Sequence, residues 1–123
     1  MEVLTRRTVA ESRAFTRRAP ELLSEQARTD LIDLLARDPL AGDMIPGTGG
    51  LRKLRWAADA KGQGTRSGAR VIYYVLTEDH PIYLMAIYGK GERADLTPDG
   101  KQAMAGAAAA IREEAASMPR KRR

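Results

Sequence analysis

A chain of 123 residues, 43% of them apolar, has room for one hydrophobic core and not two. The absence of cysteine and the presence of one histidine exclude a disulfide framework and a structural zinc site within a single chain. Twenty-one Lys and Arg against 16 Asp and Glu leave a net charge of +5, which favours a polyanionic partner: nucleic acid, an anionic membrane or an acidic protein.

The elements follow in chain order. Residues 2–10 have the weak pattern of a short edge strand. A helix is predicted from Glu11, with Arg13, Arg17 and Arg18 on the solvated side and Ala14 and Phe15 facing inward. The next helix is better marked. Ser24 is a good N-cap, Glu25 suits the first turn, and Ala27, Leu31, Leu34 and Leu35 share one face. Asp38-Pro39 stops it, because the residue before proline is pushed out of the α region. Such a helical hairpin needs an apolar surface to lie on. Residues 43–50 form a loop rich in Gly and Pro, residues 51–57 an extended run, and residues 60–68 a second Gly-rich connection. Two strands are then predicted at 69–77 and 82–88. Both are apolar on both faces, as interior strands are, and the turn Glu78-Asp79-His80-Pro81 makes them antiparallel. Thr97 as N-cap with Pro98 in the first helical position opens a last helix that runs to about Ser117.

The predicted order is β-α-α-β-β-β-α. This is an α+β class: a small four-stranded sheet, antiparallel but mixed at the N-terminal strand, with an N-terminal helical hairpin and a C-terminal helix. Residues 1–118 make one domain, and residues 119–123 a basic disordered tail. No apolar run reaches transmembrane length, and the opening residues lack the apolar core of a signal peptide. A cytoplasmic protein with no membrane partner is therefore expected.

The chemistry on offer is cationic. Between Leu51 and Arg70 lie Arg52, Lys53, Arg55, Lys61, Arg66 and Arg70 against a single acid, Asp59. Strand alternation sets Arg52, Leu54 and Trp56 on one face and Lys53 and Arg55 on the other, with Arg70 opening the next strand close to that second row. Lys90 and Arg93 follow the last strand. These residues can line a positive concavity that holds phosphates, or can be the solvated face of an amphipathic strand. His80, beside Pro81, reads as a turn residue, so serine-triad and two-histidine metal mechanisms have no material. Neither glycine cluster has phosphate-loop or dinucleotide spacing, and no cofactor is implied. An enzyme built on this chain would have to move protons with Lys, Arg or Tyr. Cleavage of RNA by its own 2′-hydroxyl is a reaction such groups support, and crowded cations lower a lysine pKa. Trp56, Tyr73 and Tyr74 read as packing residues rather than base-stacking platforms.

Three segments carry a resemblance: GDMIPGTGGLRKLRWA at 42–57, GARVIYY at 68–74 and YGKGERADLT at 88–97. Together they resemble the HigB-like toxins of the RelE/ParE superfamily. The resemblance implies a RelE-like fold and the toxin of a type II toxin–antitoxin system. It further implies a metal-independent endoribonuclease that cuts ribosome-bound mRNA and is neutralised by an antitoxin with a helix-turn-helix domain. Operator DNA would be met only through the toxin–antitoxin complex. By position, Lys53 and Arg55 match the family's paired basic residues, Arg70 its strand-opening arginine, and Lys90 its last basic segment. Arg52, Lys61, Arg66, Tyr88 and Arg93 would contact RNA around them. Gly91 and Thr97 replace an arginine and a tyrosine of the best-studied branch, which leaves the general acid and base open among Tyr88, Tyr74 and Arg93. Other readings are a ParE-like gyrase poison, a non-catalytic subunit of an operator-binding complex, and a generic RNA-binding module.

Overall fold

The computed structural model describes residues 8–56, 68–76, 80–89 and 97–117. Eight elements follow one another: β1 (Val9–Glu11), α1 (Arg13–Leu22), α2 (Glu25–Arg37), β2 (Asp43–Met44), β3 (Leu51–Trp56), β4 (Ala69–Val75), β5 (Ile82–Gly89) and α3 (Pro98–Ser117). They build one five-stranded sheet in the order β1-β5-β4-β3-β2. The strands β5, β4, β3 and β2 are antiparallel neighbours, while β1 runs parallel to β5. The α+β class and the mixed N-terminal edge are as expected. The strand count is five rather than four, because Asp43 and Met44, inside the predicted loop, pair with Lys53 and Arg52.

Local chemistry explains the helix boundaries. The Ser12 hydroxyl accepts from the Phe15 amide at 3.1 Å, so α1 starts two residues after the predicted Glu11. Ser24 caps α2 by accepting from the Ala27 amide at 3.0 Å, and the helix ends at Arg37, ahead of Asp38-Pro39. Thr97 caps α3 by accepting from the Gly100 amide at 3.0 Å. Between β2 and β3 the chain turns back through Gly47, Gly49 and Gly50, all at positive φ, which is why glycine stands there.

Helices cover both faces of the sheet. On one face the α1–α2 hairpin packs Phe15, Ala19, Leu31 and Leu35 against Val71, Tyr73, Leu84 and Ile87. On the other, α3 lays Ala108, with Met104 and Ile111 beside it, over Leu51, Ile72, Tyr74 and Met85. Ala14 does not face inward as expected: it is exposed, and the buried stripe of α1 is Phe15 and Ala19, one turn apart. Trp56 anchors β3 to the hairpin by donating from its indole nitrogen to the Ala27 carbonyl at 2.8 Å. Tyr73 and Tyr74 are buried, as packing residues should be.

A single ion pair ties β1 to α2. Arg28 donates to both carboxylate oxygens of Glu11, at 2.5 and 3.1 Å, and its guanidinium lies 5.9 Å from the centroid of the Phe15 ring. The Arg28 hydrogen bonds hold the Glu11 carboxyl below the usual carboxylate range, against an opposing push from burial. A depressed folded pKa stabilises the fold above the unfolded value, and that contribution is lost as pH falls through the folded value. Arg28→Met, which keeps the contact area on Phe15, should therefore cost about 1 kcal/mol at neutral pH. The difference from the unsubstituted protein should shrink toward zero at acid pH, once the solution passes below the depressed Glu11 value. Urea midpoints at the two pH values check this. An equal loss at both would assign the effect to packing instead.

Candidate functional site

The register of the three inner strands assembles the site. On β3 the side chains of Leu51, Lys53 and Arg55 fall on the α3 face of the sheet, opposite Tyr74, Ile72 and Arg70 of β4. Arg70 in turn faces Tyr88 of β5. Arg55, Arg70 and Tyr88 thus form one row across three strands, at the end of the sheet away from the Leu51–Tyr74–Tyr83 row, which packs in the α3 cluster. Lys53 stands two residues from Arg55 on the same face, roughly 6–7 Å along the strand. Arg55 is exposed, while Lys53, Arg70 and Tyr88 are half-buried.

Placing two arginines directly opposite each other on adjacent strands is unfavourable without an anion, because their charges repel across a short cross-strand gap. Among the described residues neither guanidinium forms an ion pair. Arg70 makes one long hydrogen bond, 3.4 Å, to the carbonyl of Gly68, just ahead of its own strand. The row is therefore suited to a phosphate. Two planar donor forks offer several N–H groups to non-bridging oxygens, and the Tyr88 phenol is a neutral proton donor or acceptor beside them.

Tyr88 reaches the row through an irregularity. Ile72 pairs with Ala86 but Tyr73 pairs with Leu84, so Met85 is an extra residue with no partner on β4. Ile82, Leu84 and Ile87 point into the hairpin core, whereas Tyr83, Met85, Ala86 and Tyr88 face α3. Strict alternation from Ile82 would have sent Tyr88 into the hairpin core. The bulge reverses the parity and aims it at Arg70. No sequence signal announces this, because residues 82–88 are apolar at nearly every position and carry no period to read.

The remaining expected site residues are distributed as follows. Arg52 is not brought into the row: it lies on the opposite face and donates to the Gly42 carbonyl at 2.7 Å. Its role there is to hold the turn into β2. Tyr74 is buried beneath α3, where its hydroxyl accepts from Arg112 at 3.3 Å. Thr97 has its side chain engaged as the α3 cap. Lys61, Arg66, Lys90 and Arg93 lie outside the described residues.

No family model matches the chain. Among solved structures, it resembles a chain of the archaeal RelE–RelB complex from Pyrococcus horikoshii, with a TM-score of 0.51 and 21% sequence identity. The match spans 73% of this chain and 100% of that one. The fold is RelE-like. In this RelE-like frame the sheet face that carries Lys53, Arg55, Arg70 and Tyr88 is the one shared with α3, and the helical hairpin closes the opposite face.

Proposed function

We propose that the protein is the toxin of a type II toxin–antitoxin system, of the HigB-like branch, and that it cuts mRNA on the ribosome without a metal ion. The observation that carries this reading is the row Arg55–Arg70–Tyr88 with Lys53 beside it on one sheet face. The motif resemblance at 42–57, 68–74 and 88–97 supports the branch. The neighbour in fold is named as a RelE–RelB complex, which supports a partner antitoxin for this chain. In the proposed setting the protein works in the cytoplasm, and a helix-turn-helix antitoxin both silences it and carries it to operator DNA.

The reaction requires only proton transfers and charge stabilisation. The ribose 2′-hydroxyl loses its proton to a base and attacks the adjacent phosphorus. A pentacoordinate phosphorane forms, and the 5′-oxygen of the next nucleotide leaves with a proton, giving a 2′,3′-cyclic phosphate and a 5′-hydroxyl. Lys53 and Arg55 position the scissile phosphate, and Arg70 neutralises the extra charge on the phosphorane. Tyr88 is the residue of the row that can exchange a proton with the substrate without carrying a charge of its own at neutral pH.

The test is induction in bacteria with mapping of mRNA 5′ ends, side by side with Arg70→Ala. Growth arrest accompanied by new in-frame 5′ ends, both lost in Arg70→Ala, is the expected result. Arrest without new 5′ ends would overturn the ribonuclease reading and direct attention to gyrase.

A further inference from the structure

We propose that Ser12 is a positioning residue for this site: its hydroxyl holds the bulge at Met85, and that bulge directs Tyr88 to Arg70. The proposal rests on the reading of the basic row as the RNA-cleaving site.

Ser12 lies 73 positions before Met85 in the chain, yet its Oγ donates to the Met85 carbonyl at 2.8 Å. The same oxygen accepts from the Phe15 amide at 3.1 Å, and the Ser12 amide donates to the Leu84 carbonyl at 2.9 Å. A hydroxyl has one proton and two lone pairs, so it can cap α1 and satisfy the bulge at once. The need is specific. Parallel pairing of β1 with β5 ends at Glu11 and Leu84, and Met85 has no partner on β4. Met85 is also buried, so its backbone carbonyl must find a partner within the protein. Ser12 supplies that partner at the point where the parity of β5 reverses. Upstream of it the odd-numbered Tyr83 and Met85 face α3; downstream the even-numbered Ala86 and Tyr88 do. Loosening the bulge by one residue would exchange the faces of Ile87 and Tyr88 and empty the third position of the row.

Helix capping and bulge bonding can be separated by substitution. Threonine keeps both functions of the hydroxyl. Aspartate caps a helix as well as serine but has no proton to donate at neutral pH, and glycine caps acceptably with no side chain. The three variants are compared in full-length protein on ribosomes programmed with mRNA, and by NMR for the cross-strand proton contact between Arg70 and Tyr88. Ser12→Thr is expected to match the unsubstituted protein. Ser12→Asp and Ser12→Gly should stay folded, weaken the Arg70–Tyr88 contact, and lower kcat by roughly ten- to a hundredfold with little change in KM. Once Tyr88→Phe is in place, Ser12→Asp should add little further loss, since the two act on one group.

Full activity in folded Ser12→Asp and Ser12→Gly, or an unchanged contact in both, would overturn the proposal. So would equal, additive losses with and without Tyr88. If the unsubstituted chain cleaves no mRNA, the ribonuclease reading fails by itself, and the NMR comparison still decides whether Ser12 sets the direction of Tyr88.

Discussion

Arg70→Ala should lower the rate of mRNA cleavage by about 10²–10³-fold, the loss that follows removal of a donor aimed at developing transition-state charge. Arg70 is the middle member of the row, with Arg55 on one side and Tyr88 on the other, so its guanidinium reaches a phosphate held at either neighbour. Arg70→Lys restores the charge but not the planar fork, and most of the loss should persist. Arg55→Ala should be milder, about tenfold, because Arg55 is exposed and its contribution is screened by water. Single-turnover cleavage on programmed ribosomes checks the series. Equal rates for Arg70→Ala and Arg55→Ala would remove the special role given to Arg70. The Arg70 substitutions should not cost stability: relieving the repulsion with Arg55 should leave the melting temperature level or raise it slightly.

Gly42→Ala should destabilise the fold by about 3 kcal/mol, near the top of the range for overpacking in a tight interior. Its φ is not positive, so the reason is space and not backbone conformation. A Cβ there would sit 2.7 Å from the Lys53 carbonyl oxygen and 2.9 Å from Cε1 of Tyr73. Neither can retreat. The first is backbone of β3 at its pairing with β2, and the second belongs to a fully buried ring. The Tyr73 hydroxyl accepts from the Gly42 amide at 2.7 Å and donates to the Pro39 carbonyl at 2.9 Å, while Arg52 donates to the Gly42 carbonyl. Gly42 is thus committed through its N–H, its C=O and its empty side, and displacing it strains the strand that carries Lys53. Urea unfolding measures the cost. A comparison with Tyr73→Phe, expected to cost about 1–3 kcal/mol by orphaning the Gly42 amide, separates crowding from hydrogen bonding.

The elements best read from the sequence were those whose signals are local. Ser24, Asp38-Pro39 and Thr97-Pro98 mark helix ends because the capping oxygen and the proline ring act on amides within a turn of themselves. The central strands were legible as runs apolar on both sides, and the separation of Lys53 and Arg55 from Arg52 followed from alternation alone. The two-residue strand β2 was not legible. Its residues are exposed and have no apolar period, and only their pairing with Lys53 and Arg52 makes them a strand. The bond from Arg52 to the Gly42 carbonyl was not legible either, because a strand shows which side chains share a face but not what lies against that face.

By itself, then, the sequence determined the α+β class, the caps of α2 and α3 and a cationic strand whose charges alternate between faces, since each depends on interactions over a few residues. Only the tertiary structure decided that Arg55, Arg70 and Tyr88 share a row. That outcome depends on strand register, and on a bulge in β5 bonded by a serine 73 positions earlier in the chain. Register is a contest among long-range pairings of similar local energy, and packing of the whole sheet between its two helical layers settles it.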